Sequence, residues 1–306
     1  DAAGNASSVS ITVVVQSTAA QFSSNIQKFS QFPLRGTWGL AGGAFGDLDS
    51  AIINNAAKLN AMIKQYQKYG LNAAMVRYDD LFDAIMGNLT ANGQYFLSQM
   101  AANGIKVIIS LNPGGQSFID GTWSNSTTTV HSFLFNLDQY RNNNKNDYDN
   151  ILAFFICSDV GSRRAANVIA FADIIRNTIY NSASAINRQL DVPLMIDTSN
   201  RGIITPTYSL DQYIEVIGVY NYPLLSPDDN SLILETQKSA SGVTDARFYT
   251  FTQVHSQQWY NVIFYNNSNY NSDPLPEGVQ IASELYQNLK ANVKKSMLYI
   301  APYLKT

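Results

Sequence analysis

From residue 35 onward, short apolar runs alternate with longer amphipathic stretches. RGTWGLAGG (35–43) reads as a first strand ending in glycines. Helical spacing follows through Ile52, Ile53, Leu59, Met62, Ile63 and Tyr66, with Gly70 as a C-terminal stop. LNAAMVRYDD (71–80) reads as a strand, with a helix over 91–103 closing at Asn103-Gly104. IKVIISLNPGG (105–115) is a third strand that ends in a Pro-Gly-Gly turn. A loop carrying Trp123 leads to a helix near 127–140, and the polar, Asn-rich run 141–150 reads as a surface loop. ILAFFICSDVG (151–161) is apolar without interruption, which suits a strand buried on both faces. A long helix follows over about 163–188. PLMIDTSN (193–200), EVIGVYNYP (215–223), RFYTFTQVHS (247–256) and SMLYIAPYL (296–304) complete eight strands, with helices predicted at 230–240 and 276–294.

Eight strands alternating with helices at this spacing predict an α/β chain folded as a (β/α)8 TIM barrel. A doubly wound open sheet is the competing arrangement. The chain ends at Thr306, leaving no length for a helix after the last strand. The segment 19–32, with Phe22, Ile26 and Phe29 at helical spacing, is the candidate to close the barrel in its place. Residues 1–18 form an N-terminal extension to the single barrel domain, 19–306. Its run VSITVVVQ (9–16) is strongly β-prone, with no partner strand adjoining it. It pairs either with a barrel edge or loop, or with a sheet of a neighbouring molecule, a route to self-assembly.

Composition narrows the function. At 306 residues with 45% apolar and 12% aromatic residues, the chain can bury a sizeable core. A net charge of −3 and a pI near 5.3 argue against a nucleic-acid partner. Cys157 is the single cysteine, so no internal disulfide forms, and its apolar neighbours predict a buried, inert thiol. With only His131 and His255, no metal site is expected, and no motif calls for a cofactor. The glycines after the first strand do not match the dinucleotide fingerprint. Glycosylation sequons begin at Asn5, Asn88, Asn125 and Asn266, all in expected loops or element ends. The chain opens on Asp1 instead of Met, as a processed chain would, and no stretch is apolar enough to span a bilayer. These features together predict a secreted or cell-surface protein.

In such a barrel, function concentrates at the C-terminal strand ends. The polar residues there are Trp38, Arg77 with Asp79 and Asp80, Asn112, Ser158 with Asp159, Asp197, Tyr220 with Tyr222, Gln253 with His255, and Tyr303. Trp259 follows shortly after the seventh strand. Aromatic faces, amides and carboxylates with few cations suit a sugar, and carbohydrate is the expected partner. Phosphorylated ligands would call for cations or a Gly-rich helix start near strands seven and eight, which that region lacks.

YGLNAAMVR (69–77) is similar to a Gly-x-Asn-x-x-x-Arg pattern, VIISLN (107–112) to a third strand, and VIGVYNYP (216–223) to a sixth strand. On these runs the chain resembles the clan of retaining glycoside hydrolases built on (β/α)8 barrels, which includes cellulases and β-galactosidases. The resemblance spans roughly residues 33–304. It implies a second-strand arginine at Arg77, Asn112 where a histidine is frequent, and a sixth-strand tyrosine at Tyr222. It also implies an acid/base glutamate at the end of the fourth strand, where Ser158-Asp159 stands, and a nucleophilic glutamate in the seventh, where Gln253 stands. An amide is a poor nucleophile, so retaining hydrolysis by the usual route is expected to be disabled.

An inverting mechanism needs an acid and a base about 6.5–9.5 Å apart, a spacing open to Asp159 and Asp197 on neighbouring strands, with Asp79 or Asp80 in reserve. Substrate-assisted cleavage needs no enzymic nucleophile. Each candidate also has a structural reading. Asp159 can cap the following helix or pair with Arg163 or Arg164. Asp197 can belong to an Asp-Thr-Ser-Asn turn, and Asp79 and Asp80 to a solvated strand end. Arg77 can pair with either aspartate, and His255 can be a scaffold residue. Trp38, Trp123 and Trp259 are sugar platforms or packing. The expected role is carbohydrate recognition with weak or absent hydrolysis. The alternatives are an active glycosidase with Asp159 as acid, and a surface or filament-forming glycoprotein assembling through its N-terminal strand.

Overall fold

A computed structural model describes residues 17–40, 47–181, 190–198, 210–221, 248–254 and 296–300. Each of the eight predicted runs contains a strand: β1 Arg35–Trp38, β2 Ala73–Arg77, β3 Lys106–Ser110, β4 Ile151–Cys157, β5 Leu194–Thr198, β6 Val216–Asn221, β7 Phe248–Val254 and β8 Ser296–Ile300. All pair in parallel with their chain neighbours, from Gly36 opposite Ala73 in β1 and β2 to Gln253 opposite Tyr299 in β7 and β8. β1 also pairs with β8, Gly36 opposite Met297. The architecture is mixed α/β with a curled parallel sheet. Strand order that follows the chain sets aside the doubly wound alternative, which needs a reversal of order.

The helices are α1 Ser17–Gln31, α2 Asp47–Ile53, α3 Ala56–Tyr69, α4 Ala91–Ala102, α5 Ser117–Asp120, α6 Thr127–Arg141, α7 Lys145–Asp149, α8 Ser162–Asn181 and α9 Leu210–Tyr213. Helix α3 shows why local sequence suffices at some boundaries. Asn55 caps its start by accepting from the N–H groups of Ala57 and Lys58. Gly70 ends it at φ 70°, a left-handed conformation suited to glycine. The Asn-rich run expected as a surface loop instead contains α7. Tyr148 is buried beneath the Arg141 guanidinium, 4.3 Å from its ring centre, and Asn150 donates to Ile105 O at 2.7 Å. Polar composition concealed a helix whose anchors are these two side chains.

Side chains alternate between two cores, as the period of a strand requires. Ala73 and Met75 of β2, Ile108 of β3, Ala153 and Phe155 of β4 and Met195 of β5 face the inside of the curl. Ala74, Val76, Val107, Ile109, Phe154, Leu194 and Ile196 face the helices. Phe29 of α1 is buried with the inner set. Asn25 of α1 donates to Leu190 O at 3.2 Å and to Glu215 Oε1 at 3.1 Å, just ahead of β5 and β6. Helix α1 therefore lies across the N-terminal edge of the sheet and reaches its interior. It does not take the place of a helix after the last strand, because its apolar face covers the open end of the inner core. The extension strand 9–16 and the predicted helices 230–240 and 276–294 lie outside the described residues.

Candidate functional site

Alternation places Trp38, Arg77, Ser110 and Asp197 on the inner face of their strands, at the C-terminal edge. The densest polar grouping there joins the ends of β4 and β5. Between Phe155 and Cys157 the pairing of these strands shifts register. A shift of this kind kinks a strand and re-aims the residues after it. Asp159 follows with φ 49°, the only non-glycine residue with positive φ among the described residues. Left-handed backbone at a non-glycine residue persists only where neighbours enforce it.

Those neighbours are identifiable. Asp197 accepts the Asp159 N–H at 2.6 Å and the Ser158 hydroxyl at 3.0 and 3.2 Å. Val160 N–H donates to Asp197 O at 2.9 Å, and Thr198 Oγ1 donates to Val160 O at 2.7 Å. Arg164 Nη1 donates to the carbonyls of Ser158 and Asp159, at 2.9 and 2.8 Å. Its guanidinium lies so close over Gly115 that a Cβ there would stand 3.1 Å from three of its atoms. Asp197 is fully buried, and burial drives its carboxyl up to about 7 against the pull of its two donors. Asp159 is exposed. Cys157 is buried, and burial raises its thiol well above the usual range, as an inert core cysteine requires.

A second grouping follows β2. Arg77 forms an ion pair with Asp79, both partly exposed. Asp80 accepts the Ser50 hydroxyl of α2 at 2.5 Å, and its Oδ2 is buried without a hydrogen-bond partner. Burial foremost raises the Asp80 carboxyl above its ordinary value. Ser50 was not foreseeable, since it reaches the site from thirty residues upstream. Asn112 spends its side-chain oxygen on Gly114 N–H at 2.9 Å. Trp38 is 9% exposed and meets Phe155 edge-on at 5.1 Å, a packing role. Trp123 stacks on Phe118 and packs against Phe171, away from the cleft.

Gln253 is the sixth of seven residues in β7, and Tyr220 the fifth of six in β6, so both stand near C-terminal strand ends. Tyr222, His255, Trp259, Asn5 and Asn266 lie outside the described residues. Asn88 and Asn125 are exposed. Among the described residues no cluster of metal-ligating side chains occurs, and no helix is long and apolar enough to cross a membrane.

No family model and no curated protein matches the chain. Solved structures do. ZgEngAGH5_4 is similar with a TM-score of 0.48 and 14% identity, covering 91% of this chain and 90% of that one. The endo-β-N-acetylglucosaminidase of Cordyceps militaris gives 0.39 and 12%, over 93% of this chain and 86% of that one. The malate synthase of Haloferax volcanii gives 0.43 and 10%, over 83% and 75%. Likenesses this distant carry no argument about chemistry, and the site rests on its own geometry.

Proposed function

We propose that this chain is a glycoside-hydrolase-like (β/α)8 barrel, secreted or on the cell surface, that recognises carbohydrate at the C-terminal edge of its sheet with impaired hydrolysis. The pairing of β1 with both β2 and β8 supports the barrel. One observation carries the functional reading. Asp197, the neighbouring carboxyl best placed to work with Asp159, is fully buried and committed to the Ser158 hydroxyl and the Asp159 N–H. Glycoside cleavage by either stereochemical route needs two carboxyls facing the substrate. Of this pair only Asp159 is exposed, the exposed Asp79 is held by Arg77, and β7 carries Gln253 near its end. The part-exposed Arg77 at the same edge supplies hydrogen bonding without chemistry.

The left-handed backbone at Asp159 favours a second reading, in which this residue acts as a general acid. One experiment separates the two. The chain is titrated calorimetrically with β-glucan and chitin oligosaccharides, and reducing ends are assayed in parallel. Saturable binding without turnover supports recognition. Sugar release near an ordinary enzymic rate of about 10 per second, abolished by Asp159→Asn, overturns it. The assembly reading rests on residues 9–16, outside the described residues.

A further inference from the structure

On the opposite edge of the sheet, where strands begin, lies a cavity of about 570 Å³. Its cationic wall is Lys28 of α1, Lys106 at the start of β3, Arg141 at the end of α6 and Lys145 of α7. Asp149 and Asp191 are its acidic residues. Four cations thus face two carboxylates in a chain whose net charge is −3, so composition does not explain the excess.

The two carboxylates are already engaged. Asp191 holds Arg141 Nη2 at 2.7 Å and accepts the Tyr148 hydroxyl at 3.1 Å, and Asp149 pairs with Lys145. The remaining ammonium groups meet backbone carbonyls. Lys28 Nζ donates to Asp191 O at 3.3 Å, and Lys106 Nζ to Asp149 O at 3.2 Å. One carbonyl each leaves most of their three donors available. Arg141 Nη1 is buried with no hydrogen-bond partner, and its guanidinium lies over the Tyr148 ring. Burial also lowers the Lys106 ammonium below its ordinary range, with Asp149 only partly opposing.

We propose that this cavity binds an oxyanion, the phosphate or sulfate group of a small organic ester, between Lys28, Lys106 and Arg141. The charge of the Arg141 guanidinium, only part of which Asp191 takes up, and two ammonium groups match a tetrahedral group with several acceptor oxygens. Phe32, Leu152, Val192 and Pro193 line the rest, and the volume falls within the range of small-molecule pockets. The site is independent of the proposed carbohydrate cleft, since one lies at strand starts and the other at strand ends.

The test uses the full chain, with inorganic phosphate and inorganic sulfate as probes and chloride at matched ionic strength as reference. Thermal melting and calorimetric titration are read together. The expected result is a saturable rise in melting temperature with phosphate, sulfate or both, absent with chloride. Which anion binds more tightly assigns the ester. Lys106→Gln and Lys28→Gln should each weaken binding about tenfold, while Lys64→Gln, exposed on α3 and outside the cavity lining, leaves it unchanged. Lys28 is exposed on α1, so Lys28→Gln decides the matter even if Lys106→Gln fails to fold. A chloride response equal to that of phosphate and sulfate overturns the proposal, as does unchanged affinity in Lys28→Gln.

Discussion

The carboxylate of Asp197, at the end of β5, accepts the backbone N–H of Asp159 beyond the end of β4, at 2.6 Å. One aspartate thereby sets the backbone of another. The buried partner spends its acceptor oxygens on loop geometry, while Asp159 itself is exposed. The arrangement makes Asp197 a positioning residue for whatever Asp159 does.

This relationship has a pH signature. The Asp197 carboxyl stands at about 7 in the folded chain against an ordinary 3.8. A folded pKa above the unfolded one means that the native state holds the extra proton between these values. The stabilisation is then complete at low pH and is lost as pH rises through about 7. Asp197→Asn should remove that slope, a difference on the order of 2–4 kcal/mol across the window. Urea midpoints of both proteins from about pH 4 to about pH 8 will show it, and parallel curves would exclude it.

The left-handed backbone at Asp159 should be visible in stability alone. Asp159→Gly relieves the conformation and is expected to be neutral or stabilising by up to about 1 kcal/mol. Asp159→Val, β-branched and without a local acceptor, should cost roughly 1–2 kcal/mol. Chemical denaturation of the pair measures the difference. Equal stabilities would mean that the backbone relaxes out of φ 49° at no cost.

At the other edge, Glu215 is fully buried and holds three elements together. It takes Arg176 Nη2 of α8 at 2.6 Å, Leu194 N–H of β5 at 2.9 Å and Asn25 Nδ2 of α1 at 3.1 Å. Glu215→Ala strips Arg176 of its carboxylate and takes the acceptor from the buried Leu194 N–H, and should destabilise by about 3–5 kcal/mol. Asn25→Ala removes one hydrogen bond to this carboxylate together with those to Leu190 O and Gln21, and should cost about 1.5–3 kcal/mol. Equilibrium unfolding of both variants is the check, and a mild Glu215→Ala would remove this residue as the anchor of α1.

Gly36 tests the pairing of β1 with β8. A Cβ at this position would overlap Met297 Sδ and stand 3.2 Å from Ala73 Cβ. Gly36→Ala is predicted to cost about 1–3 kcal/mol through overpacking. Combination with Met297→Ala should recover part of that loss, a coupling measurable in a double-mutant cycle. Strict additivity would place the two residues apart.

The strands were legible because each is a short apolar run bounded by turn chemistry, and a run such as Ile151–Cys157 is buried at every position. Local signals also settled Gly70 as a helix stop, since a left-handed C-cap needs only the residues beside it. The run 141–150 misled because its decisive contacts are remote: Tyr148 reaches Asp191, and Asn150 reaches Ile105.

What the chain by itself determined is the alternation of strand and helix, the apolar faces, and the stock of residues at strand ends. Periodicity is a local property, and it records which side of an element avoids water. Only the tertiary structure decided that Asp197 is buried while Asp159 is exposed, that α1 crosses the strand starts, and that Lys28, Lys106 and Arg141 share a cavity. These outcomes depend on groups brought together across 38 residues for Asp159 with Asp197 and up to 190 for Asn25 with Glu215. A carboxyl's charge and a lysine's free donors are set by what stands opposite them, and that is a matter of packing, not of neighbouring residues in the chain.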